Sequence, residues 1–182
     1  MYKLLTNQER VKFLREAGDV QRLHVIRTIG EYSNAQHSFN MLAILRLLWP
    51  DAPIQLLWAI VEHDVPERLI GDIPSPSIHY GGFIEPFSMM EMEQRILGEL
   101  FGEFHHTNLD DLLQSWLKGL DLLELYLYAK DQLRLGNRNL ETMRVFIEER
   151  FKQKASLYPE PILNLFYECK NSDWVHLPDL GA

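Results

Sequence analysis

Ile60-Val61-Glu62-His63-Asp64-Val65-Pro66-Glu67-Arg68-Leu69-Ile70-Gly71-Asp72-Ile73-Pro74-Ser75-Pro76 joins an apolar helical run to a turn-rich loop. The run that feeds it, Leu56-Leu57-Trp58-Ala59-Ile60-Val61, reads as a buried helix, and His63-Asp64 falls at its end. Adjacent side chains on a helix point about 100° apart, so this pair cannot sink into one apolar face together. An ionised Asp at that place would be costly to bury unpaired. A divalent cation removes the difficulty, because imidazole and carboxylate are both ligands for hard or borderline metals. A single His-Asp pair decides nothing. The reading depends on further ligands elsewhere.

Upstream, Thr6-Asn7-Gln8-Glu9 has the form of a capping box and opens a helix to about Ala17. The stretch from Val20 to Tyr32 is irregular or short-helical and holds Arg22, His24 and Arg27 among apolar residues. Ser33-Asn34-Ala35-Gln36 then caps a helix to about Trp49, on which His37, Met41, Ile44, Leu45 and Leu48 form one stripe. His37 therefore lies on the buried face, where a histidine alone is more often a hydrogen-bonded core residue than a ligand. Pro50-Asp51-Ala52-Pro53 breaks the chain before the His63-Asp64 helix. Glu67 follows one turn later, with Pro66 suited to the start of a new helical segment. Asp72 can serve an Asx-turn or reach back towards His63-Asp64.

Downstream, a helix from Ser88 to about Phe104 carries Met89, Met90 and Met92, read as core filler, and ends at an exposed His105-His106 cap. A long helix from Leu109 to about Leu135, capped by Asn108, carries Lys118, Asp121 and Glu124 as a polar line on an apolar helix. Polar groups so placed must be paired or coordinated, and Lys118 with Asp121 is one pairing. Two further helices, 139–156 and 159–170, precede a surface tail from Asp173. No alternating run bounded by hairpin turns is present, so the class is all-α. Without repeats or a Gly/Ser linker, residues 1–182 read as one domain, with a motif-bearing core at about 20–128.

Three helices thus bring His37, His63-Asp64 and Asp121 onto or beside apolar faces. Together they describe a four-ligand site of two imidazole nitrogens and two carboxylates. That mixed set suits Mn, Co, Fe, Ni or Zn, and Mg less well. The net charge of −8 argues against a nucleic-acid surface, which needs a basic stripe to displace counterions. The lone Cys169 excludes an internal disulfide and reads as a small buried hydrophobe. No signal-peptide core and no run of about 20 apolar residues is found, so a cytoplasmic protein without a membrane partner is expected. A homo-oligomer is also expected.

Arg22, Ala35-Gln36-His37-Ser38, His63-Asp64-x-x-Glu67, Gly71-Asp72-Ile73-Pro74-Ser75-Pro76 and Lys118-x-x-Asp121 resemble, in this order, the HD-domain metal-dependent phosphohydrolases. The likeness extends over roughly Val20–Tyr128 and is greatest to the bacterial 5′-deoxynucleotidases, with the phage HD-domain dATP triphosphohydrolases sharing the framework. It implies a helical HD-domain bundle with His37, His63, Asp64 and Asp121 as metal ligands. It implies Glu67 and Asp72 as the groups that orient or deprotonate the attacking water, and Arg22 and Lys118 as phosphate-holding cations. The expected activity is release of phosphate from deoxynucleoside monophosphates. A dNTP triphosphohydrolase and a non-catalytic nucleotide-binding module are the alternatives. The chain departs from the family at Leu23, where a tryptophan is usual, and at Gln36, where a glutamate is. Ile78 stands where a phosphate-binding lysine is usual, which leaves His79 as the candidate for that role.

Overall fold

The computed structural model of the chain describes residues 5–73, 86–102 and 109–172. Helix α1, Asn7–Gly18, opens with the expected reciprocal capping box between Thr6 and Glu9. Helix α2, Asn34–Leu48, starts at Ser33, whose hydroxyl accepts from the Gln36 amide. Helix α3, Ile54–Glu62, stops at His63, so the His-Asp pair occupies the turn after the helix. Pro66 then caps the short α4, Glu67–Ile70, which Gly71 ends at φ 75. Helix α5 spans Pro86–Phe101, α6 Asp111–Arg134, α7 Glu141–Gln153 and α8 Glu160–Asn171. Short 3₁₀ turns precede α7 and α8. Among the described residues there is no strand, only an antiparallel bridge between Gln21 and Ser33. The architecture is all-α, as expected.

Helix α6 is the axis of the bundle. Its 24 residues span about 36 Å at 1.5 Å per residue, enough to serve helices along its whole length. Leu113, Trp116, Leu120 and Leu123 are buried against Met41 and Leu45 of α2 and Leu56, Ala59 and Ile60 of α3. Ile147 and Phe151 of α7 and Ile162 and Phe166 of α8 complete the same core. A helix enclosed on several sides is apolar almost all round, which is how α6 reads. Its buried Glu124 and Gln132 are the exceptions.

Two details differ from expectation. Met90 and Met92 are 45% and 46% exposed, so they are not core filler. On α5 the core positions are taken by Leu97 and Leu100. Asp110, and not Asn108, supplies the N-cap oxygen of α6 to the Leu113 amide. His79, Ile78, His105, His106, Asn108 and the tail from Asp173 lie outside the described residues.

Candidate metal centre

The site forms where the N-terminal turn of α2, the turn between α3 and α4, and the middle of α6 meet. His37, fully buried on α2, points Nε2 towards Asp121 Oδ1 at 3.1 Å and Asp64 Oδ2 at 3.8 Å. His63 Nε2 stands 3.1 Å from Asp64 Oδ2. Ligand atoms of His37, His63 and Asp64 all lie within 4.8 Å of one another. Asp121 borders this trio through its contact with His37.

Both imidazole Nε2 atoms are buried and make no hydrogen bond of ordinary geometry. Buried polar nitrogens facing carboxylates without a proper bond have the chemistry of a cation site. Their outer nitrogens are spoken for: His63 Nδ1 meets the Ile60 carbonyl at 2.9 Å, and His37 Nδ1 meets the Glu124 carboxylate. The residues present therefore fit a divalent ion held by His37, His63 and Asp64, with Asp121 beside them.

Arg22 reaches the site from the irregular segment. That segment is shaped by the Gln21–Ser33 bridge and by the Arg22 amide donating to the Tyr32 carbonyl at 2.8 Å. One guanidinium nitrogen pairs with Asp64 and also donates to Asn34 Oδ1 at 3.2 Å. Another lies 3.8 Å from Asp121. Burial would raise the Asp64 pKa, but His63 and Arg22 hold it well below the usual carboxylate range. Burial would lower His37, yet its close contacts with Asp121 and Glu124 push it up to about 9.

Glu67 stands beside the trio at the start of α4, where Asn34 Nδ2 donates to its carboxylate at 2.8 Å and to the Asp64 carbonyl at 3.3 Å. Burial, then the charge of Asp64, pushes the Glu67 pKa up to about 7. Asp72 does not touch the trio. Its carboxylate accepts from the Leu23 amide at 2.7 Å and lies 3.7 Å from His24. Leu23 has φ 54, a left-handed conformation costly for a branched side chain, and this hydrogen bond holds it there. Lys118 is exposed and makes no ion pair with Asp121 or any other described residue.

Sequence reasoning missed Asn34, Tyr32 and Glu93. Asn34 read as part of a cap, yet it joins Arg22 to Glu67. Glu93 of α5 feels Asp64: burial first, then that carboxylate, raise its pKa, against His63. Helical spacing did place Glu124 on the same polar line, one turn beyond Asp121. Nothing local could have revealed the others, because they reach the site by tertiary packing.

No family model matches the chain. It is 26% identical to a 5′-deoxynucleotidase of Photobacterium profundum, across 84% of this chain and 89% of that one. It is also 26% identical to a 5′-deoxynucleotidase of Vibrio atlanticus, across 81% and 86%. Among solved structures, it superposes on the HD phosphohydrolase DatZ of cyanophage S-2L with a TM-score of 0.64 and 16% identity, covering 92% of this chain and 95% of that one. DatZ was solved bound to dA and one catalytic Zn2+ ion. The chain shares the fold of this HD phosphohydrolase. In this chain His63-Asp64, the pair that the sequence motif singles out, lies in the turn between α3 and α4.

Proposed function

We propose that this HD-domain protein is a divalent-metal-dependent nucleotide phosphohydrolase that releases phosphate from deoxynucleoside 5′-monophosphates. The observation that carries the reading is the gathering of His37, His63 and Asp64 ligand atoms within 4.8 Å. Both relatives named above are 5′-deoxynucleotidases, which supports the monophosphate as substrate. Zn2+ in DatZ supports a transition metal over Mg2+, as does the two-nitrogen donor set.

In this reading His37, His63, Asp64 and Asp121 hold the ion. When bound, it polarises a phosphoryl oxygen and lowers the pKa of water. Glu67, oriented by Asn34 at 2.8 Å, takes the proton of the attacking water. Arg22 exchanges part of its contact with Asp64 and Asp121 for the substrate phosphate, and the free Lys118 ammonium adds a second cation on the same side of α6. Asp72 fixes the backbone after Arg22, which places the guanidinium. His79 is proposed as a third phosphate contact.

A product assay of the metal-loaded protein against dNMP, dNDP and dNTP panels tests the proposal. Orthophosphate and deoxynucleoside from dNMPs are expected. Triphosphate from dNTPs would instead make it a triphosphohydrolase, and no product from any panel would leave a binding module.

A further inference from the structure

The two histidines at the site present their Nε2 atoms to the same point, but their other nitrogens end on different chemistry. His63 Nδ1 faces a neutral backbone carbonyl, that of Ile60. His37 Nδ1 faces a carboxylate, Glu124, which is 2% exposed and lies on α6 one turn beyond Asp121. Glu124 also accepts from the Tyr32 hydroxyl and, at 2.9 Å, from Asn40 Nδ2. The Tyr32 ring is itself held in a stack on Tyr128, with centroids 3.8 Å apart and planes 10° from parallel.

A carboxylate this deep in a helical core is expensive, and an apolar residue of the same volume would pack with less cost. Three donors converge on it, two from α2 and one from the loop before that helix, so its position is fixed. An ionised carboxylate has no hydrogen to give, so the proton between Glu124 and His37 sits on Nδ1. In the neutral ring that a metal selects, this leaves the Nε2 lone pair for the cation. We propose that Glu124, held by Tyr32 and Asn40, is a positioning residue for the metal: it fixes the His37 tautomer and ring orientation, and raises the basicity of Nε2. Partners of this kind typically carry 10- to 100-fold of a site's metal affinity. His63, with its neutral carbonyl partner, lacks this contribution, so the two histidines are unequal ligands.

This inference rests on the metal site of the proposed function and not on its substrate. The test is Zn2+ affinity without nucleotide, by competition with a chromophoric chelator, beside the melting temperature of the metal-free protein. Glu124→Gln keeps a carbonyl oxygen for Tyr32 and His37, and its amide can face Asn40 if that amide reverses. We expect about 10- to 100-fold weaker Zn2+ binding with little change in metal-free melting temperature. Tyr32→Phe keeps the ring stack and removes the hydroxyl. It should weaken Zn2+ about fivefold in the wild-type background and not at all in Glu124→Gln, because its effect passes through that carboxylate.

Wild-type Zn2+ affinity in Glu124→Gln overturns the inference, as does a fall in metal-free melting temperature without a fall in affinity. Should Glu124→Gln not fold, Tyr32→Phe alone decides, and wild-type affinity there overturns it equally. A wild-type protein that binds Zn2+ but hydrolyses no nucleotide defeats the proposed function and leaves this inference standing.

Discussion

Glu67 carries opposite demands at the residue scale. Its site raises its pKa from 4.5 to about 7 in the metal-free protein, because burial and Asp64 disfavour its charge. A carboxyl raised on folding contributes stability below its unfolded pKa, and that contribution is lost as pH rises through the folded value. The metal-free protein should therefore lose melting temperature between about pH 4.5 and 7 on this group's account, and Glu67→Gln should not show that part of the loss. The same substitution removes the proposed base. With metal bound, its rate should fall about 10²- to 10⁴-fold at unchanged Zn2+ affinity. Unchanged rate would exclude Glu67 from proton transfer, and an equal fall in metal occupancy would make it a ligand. Lys118 is a simpler case: exposed and unpaired with Asp121, it has no stabilising role to lose. Lys118→Ala should raise KM and leave the unfolding free energy within about 0.5 kcal/mol of wild type, the usual range for surface positions.

Packing against α6 sets the sharpest contrast at the scale of elements. A Cβ on Gly119 would lie 2.8 Å from Ile162 Cδ1 and 3.3 Å from Tyr158 Cδ1, and Ile162 is fully buried. Among the described residues, Gly98 of α5 has nothing within 4 Å of the same position. Alanine gains up to about 1 kcal/mol of helix propensity at either place. At Gly119 overpacking costs about 1–3 kcal/mol and should win. Thermal melts should thus show Gly98→Ala stabilised and Gly119→Ala destabilised; stabilisation of both would mean that α6 and α8 have room between them. These elements also show what the sequence could and could not disclose. Thr6 and Glu9, Ser33 and Pro66 announce their helices because capping is local chemistry. His37, His63, Asp64 and Asp121 were legible because helical spacing put ligand-type groups on apolar faces. Asn34, Tyr32 and Glu93 were not, since they join the site through packing between elements distant in sequence. Met90 and Met92 misled because apolar composition does not say which face of α5 turns inward.

For the whole molecule, the candidate metal site is where several separate elements are tied together. His37 comes from α2, His63 and Asp64 from the turn after α3, Asp121 from α6, and Arg22 from the loop between α1 and α2. Asp64, Asp121 and Glu67 bring negative charge to one place in a chain already at −8, with Arg22 as the cation paired to Asp64. A divalent ion there binds the folded arrangement and not the unfolded chain, which scatters its ligands. At 100 times its dissociation constant it should stabilise the fold by about 2.7 kcal/mol. For a chain of this size that is about 5–10 °C in melting temperature. Chelation should reverse the gain, and the shift should grow with the logarithm of free metal. Asp64→Ala removes the ligand shared by both histidines, so its melting temperature should not respond to Zn2+ at the concentrations that shift the wild type. An equal response in Asp64→Ala would place the stabilising ion elsewhere, and the His37–His63–Asp64 cluster would then be a buried polar junction without a metal.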